Sequence, residues 1–108
     1  MLHIGVDQYV IDTLMPDLVG HDHSPSAFLV YLFLWAKLYR AEQRRLAVSL
    51  QQIAEGTGLS RSAVQAGMRV LQRRRLVAIT RKSQTAIPVY ELVRHWMRRR
   101  AKTQSARS

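Results

Sequence analysis

No cysteine occurs among the 108 residues, so the chain can build neither a disulfide framework nor a thiolate metal site. That fits a reducing, cytoplasmic setting. Acid is scarce, with seven Asp and Glu against seventeen Lys and Arg. No apolar run reaches the roughly 20 residues of a membrane span. The longest, residues 27–36 (AFLVYLFLWA), reads as a buried helix, and it lies too deep in the chain, with no basic leader, to be a signal peptide. No Gly-rich phosphate loop of the P-loop or dinucleotide type is present. His21-Asp22-His23 lacks a third partner at metal-ligand spacing and reads as a capping or solvated turn. Asp7, Asp12, Asp17 and Asp22 recur every five residues, about 140° per step on an α-helix, so they form no carboxylate pair there. These gaps predict no enzyme, no metal, no cofactor, no membrane partner and no identifiable small-molecule ligand.

What is present is a globular composition, 47% hydrophobic, and a lopsided charge. Residues 1–48 hold Lys37, Arg40, Arg44 and Arg45 against Asp7, Asp12, Asp17, Asp22 and Glu42. Residues 49–108 hold the other thirteen bases against only Glu55 and Glu91. A near-neutral half is thus joined to a cationic one, the expected footprint for a phosphate backbone.

Along the chain, Leu2, Ile4 and Val6 alternate as a weak strand or extended arm. Residues 7–18 carry helical spacing, with Pro16 predicting a stop or kink. Ser24-Pro25 supplies an N-cap and a first-turn proline for a long helix over residues 25–42. Its broad face is expected to carry Phe28, Leu29, Leu32, Trp35, Ala36 and Tyr39, leaving Val30, Phe33 and Leu34 outside. Helices apolar nearly all round need more than one neighbour, so this one belongs at the centre, with a homodimer partner one way of covering it. Residues 46–48 are extended. Ser49, with Gln52 in the reciprocal position, caps a second helix over 50–55. Ser60 caps a third, reaching about residue 74, with Val64, Met68 and Leu71 inward. Residues 77–81 and 86–93 are β-rich around a polar 82–85 turn, with 46–48 as a third strand. Pro88 predicts that the later strand lies at an edge or begins late. Residues 94–100 suit a last helical turn or two, and 102–108 read as disordered. The divisions expected are an N-terminal arm and helix (1–23), a main domain (24–93) and a basic tail (94–108). Trp35 and Trp96 read as core residues.

The second and third helices carry a helix-turn-helix pattern. Ala54 is small where the helices touch, Gly58 tolerates φ > 0 in the turn, Leu59 plugs the gap beneath it, and Ile53 and Val64 pack between. The stretch LQQIAEGTGLSRSAVQAGMRVLQRRRLV resembles the winged helix-turn-helix superfamily in its common bacterial form. The upstream VIDTLMPDLVGHDHSPSAFLVYLFLWAKLY is similar to the lead-in of phage and plasmid replication-initiation and replisome-organiser proteins and related small bacterial regulators. The resemblance covers about residues 10–93. It implies a mainly α fold with a small β-hairpin wing, and double-stranded DNA as partner, in transcription regulation or replication initiation. Two departures are Gly56, where a long polar residue is usual, and Gly67, where alanine is usual. Gly67 reads either as a close approach of another helix or as tolerated drift.

In that fold the third helix enters the major groove with its N-terminal residues on base edges. Arg61, Ser62, Gln65 and Ala66 are then the base-readout candidates, with Arg61 and Gln65 foremost because arginine pairs with guanine and glutamine with adenine. Ser49, Gln51, Ser60, Arg69, Arg73 and Arg74 are candidates for phosphate. Arg81, Lys82, Ser83 and Gln84 form the expected wing tip, which the resemblance takes to the minor groove or backbone. The rival reading is a winged-helix module that docks a protein without sequence-specific DNA binding.

Overall fold

The helix starts are set by side chains that cap them. In the computed structural model, which describes residues 3–97, Ser24 accepts the Ala27 N–H at 3.3 Å and opens α1 (Pro25–Ala41). Ser49 and Gln52 form a reciprocal box at the head of α2 (Leu50–Thr57), at 3.1 and 2.9 Å. Ser60 accepts the Ala63 N–H at 3.1 Å and opens α3 (Arg61–Arg73). Gly58, at φ +80°, ends α2, which carries Gly56 within it instead of stopping there. Glu42 and Arg75 take left-handed φ values of 54° and 58° just past α1 and α3. Behind them, the N–H groups of Gln43 and Leu76 reach back to the carbonyls of Leu38 and Leu71.

Before α1 the chain does not form the expected α-helix. Val10–Leu14 and Pro16–His21 are wide turns of the π type, bonded five residues apart. Pro16 does not end the helix. It opens the second stretch, where a missing N–H is harmless. Five-residue turns also alter the aspartate geometry derived for an α-helix. Asp17 and Asp22 now fall on one side, where both meet Arg74, at 3.2 and 3.4 Å. His23 follows at φ 52°.

Three strands, β1 (Arg45–Ala47), β2 (Val77–Thr80) and β3 (Val89–Leu92), form an antiparallel sheet in the order β1-β3-β2. The late strand begins late, after Pro88, yet lies at the centre. Pro88 needs no N–H there, and its carbonyl accepts from Val48 at 3.3 Å. Leu46 and Ile79 both register against Tyr90, whose ring is buried beneath the sheet. The whole is mainly helical with this small sheet.

α1 is the hub, and its inner face overlaps only in part with the one expected: Phe28 and Trp35 of that face are buried. Val30, Tyr31 and Leu34 are fully buried, whereas Leu29 and Tyr39 are 43% and 41% exposed. An all-round apolar helix does not announce its inner side; α3 and the N-terminal helix choose it. α3 approaches so closely that a Cβ on Gly67 would sit 2.9 Å from the Ala27 nitrogen. Gly67 is therefore a close-approach residue and not drift. Val10, Leu14 and Leu18 complete the core from the N-terminal side. Trp35 donates to the Gly5 carbonyl at 2.7 Å, and Trp96 to Asp7 at 3.0 Å with Tyr9 stacked on it at 4.4 Å. Both tryptophans are buried. Residues 95–97 form a helical turn. Met1, Leu2 and the rest of the expected tail, 98–108, lie outside the described residues. No helix among the described residues is long and apolar enough to cross a membrane, and no group of three or more potential metal ligands converges there.

Candidate nucleic-acid interface

α3 is amphipathic in a way that leaves one side free. Val64, Gly67, Met68 and Leu71 turn inward. Arg61, Ser62, Gln65, Arg69 and Arg73 are exposed, and Ala66 is half-buried at the edge of that surface. Gln72, also exposed, extends the line through Gln65 and Arg69, at a 65-69-72 spacing that the sequence itself displays. The helix contains no acidic residue. Its N-terminal N–H groups, of which Ser60 satisfies one, add positive potential at the end carrying Arg61.

Among the described residues, no carboxylate lies within ion-pair distance of Arg61, Arg69, Arg73, Arg75, Arg81 or Lys82. Two of these, Arg81 and Lys82, sit with Ser83 and Gln84 in the exposed first part of the connection between β2 and β3. That connection lacks acid from residue 81 to residue 90. Burial pushes the Tyr90 phenol above its ordinary value, against the smaller opposite pull of the Arg81 guanidinium.

Other candidates are engaged within the protein. Arg74 is committed to Asp17 and Asp22, so it does not belong with the free cations. The local sequence offered it no acidic partner, because both aspartates lie more than fifty residues away. Ser49 is occupied as a cap, and the Gln51 amide donates to Glu55 at 3.0 Å. Ser60 and Ser62 place their hydroxyls 3.2 Å apart. Arg45, on the opposite sheet edge, pairs with Glu91 at 3.4 Å. Of the Lys and Arg without an ion pair among the described residues, Arg61, Arg69, Arg73, Arg75, Arg81 and Lys82 lie on α3, just beyond its end and on the β2–β3 connection, and Lys37, Arg40 and Arg44 lie on or just after α1. The first group suits multidentate contact with an anionic polymer.

Comparison with protein-family models, curated proteins and solved structures finds no match to this chain.

Proposed function

We propose that the chain is a DNA-binding protein of the winged helix-turn-helix type, with α3 as the recognition helix and the β2–β3 connection as the wing. A transcriptional regulator or a replication-initiator-like module is the corresponding role. The observation that carries the reading is the exposed, acid-free side of α3, whose arginines have no carboxylate partner among the described residues. Arg61 and Gln65, near the start of α3, are assigned to base edges, with Ser62 and Ala66 beside them. Arg69 and Arg73, further along, are assigned to phosphates, and Arg81 and Lys82 to the backbone or minor groove.

The test is a binding titration on duplex DNA across salt concentrations. Neutralisation of phosphates by Arg69, Arg73, Arg81 and Lys82 gives a log–log slope of about −3 to −4. Binding that ignores salt, or none at all, overturns the reading. A selection of bound sequences from a random pool then supplies the site.

A further inference from the structure

α1 carries more apolar surface than the fold covers. Leu29 is 43% exposed, and Leu32, Phe33 and Ala36 are only partly covered. Their spacing places all four on one stripe of the helix. With Lys37 and Arg40 they line a shallow groove against the end of α2. A lone exposed apolar side chain needs no explanation, but a contiguous stripe marks a contact surface.

Both signs of charge border this stripe. Lys37 and Arg40 flank it on α1, and Glu55 of α2 borders the adjoining groove beside Phe33 and Lys37. Among the described residues, none of the three charges forms an ion pair. Glu55 accepts only the Gln51 amide, and the Lys37 ammonium rests 5.5 Å from the Phe33 ring centre. The α3 face has one sign of charge and suits a polyanion. The α1 face has an apolar centre and opposite charges at its rim, which suits a copy of itself. In a two-fold contact each complementary pairing occurs twice, once in each direction. Ala36, small and partly exposed, lets the two α1 helices come close, while Gly56 makes room for the Phe33 ring of its own chain.

We propose that this face of α1 joins two copies of the chain. Leu29, Phe33 and Ala36 form the centre, and Glu55 of each copy faces Lys37 and Arg40 of the other. The contact uses no residue of the DNA reading, and its test contains no DNA, so either can fail without the other.

Sedimentation equilibrium of the full chain decides it. The expected result is a monomer–dimer equilibrium that Leu29→Glu weakens by at least about tenfold. Glu55→Lys alone and the pair Lys37→Glu with Arg40→Glu each weaken it as well, and all three changes in one chain restore it. If Leu29→Glu does not fold, the charge variants decide alone, since all three positions are exposed. A chain that stays monomeric at every concentration overturns the proposal. So does a dimer that the single-sign charge changes leave untouched, or one that the combined change does not rescue.

Discussion

A methyl group is enough to probe how closely α1 and α3 approach. At Gly67 a Cβ would lie 2.9 Å from the Ala27 nitrogen and 3.0 Å from the Ser26 carbonyl carbon, and backbone cannot step aside. Gly67→Ala therefore lowers stability by about 1–3 kcal/mol, although alanine is the better helix former by about 1 kcal/mol. Gly56→Ala meets only the Phe33 ring, which borders an open groove and can swing. It costs less when both variants are unfolded in urea, and equal losses would contradict the distinction. The sequence shows both glycines to be out of place but names neither neighbour, because Ser26 and Ala27 lie some forty residues from Gly67, and Phe33 is also distant in sequence from Gly56. Tyr31 makes a second residue-scale case. Burial pushes its phenol well above the ordinary value, more than Arg94 pulls it down, and its hydroxyl has no hydrogen-bond partner among the described residues. A raised folded pKa means stability that is complete below the unfolded tyrosine value, about pH 10, and is lost as pH rises through the folded value. Tyr31→Phe should leave neutral-pH stability no lower and move alkaline unfolding to higher pH.

At the C-terminal end of α3, neighbouring arginines divide between two tasks. Arg73 is exposed and unpaired among the described residues, and Arg74 is held by Asp17 and Asp22, the latter with only 11% of its side chain exposed. Arg73→Ala should reduce the salt slope of DNA binding by about one and leave the melting temperature alone. Arg74→Ala should do the reverse, lowering the melting temperature because the largely buried Asp22 carboxylate loses its guanidinium partner and keeps only the exposed His21 ring. Two variants with the same profile would undo this division. The readout residues separate along another axis. Gln65→Ala should relax base preference at a cost of about 1–3 kcal/mol on the preferred site. Lys82→Ala should weaken all sequences alike. The capping serines, the turn at Gly58 and the inward residues of α3 were legible in the sequence because they are local. The partners of Arg74 were not, since a five-residue turn and a fifty-residue separation must both be known first.

Across the whole molecule, the expected boundary at residue 23 bears on how the chain unfolds. Val10, Leu14 and Leu18 are fully buried or nearly so, in the same cluster as Tyr31, Leu34 and Val64. Polar ties reinforce that packing. Arg74 links the N-terminal helix to the end of α3, and Asp7 binds both the Trp96 indole and Arg94, the latter at 3.6 Å. Periodicity marked those three apolar residues as one face of a helix, but only tertiary contact says whether that face is an arm or a wall of the core. If it is a wall, Leu14→Ala removes buried methyl groups from a shared interior and costs about 2–5 kcal/mol. The loss should then appear as a lower midpoint in a single transition, reported alike by far-UV circular dichroism and tryptophan fluorescence, since Trp35 and Trp96 both touch the N-terminal segment. The Asp22 and Ser24 amides, bonded at 2.8 Å to Asp17 and Leu18, should lose exchange protection in step with α1. Loss of protection at those two amides alone, with the midpoint unmoved, would make the N-terminal helix an appendage that opens by itself.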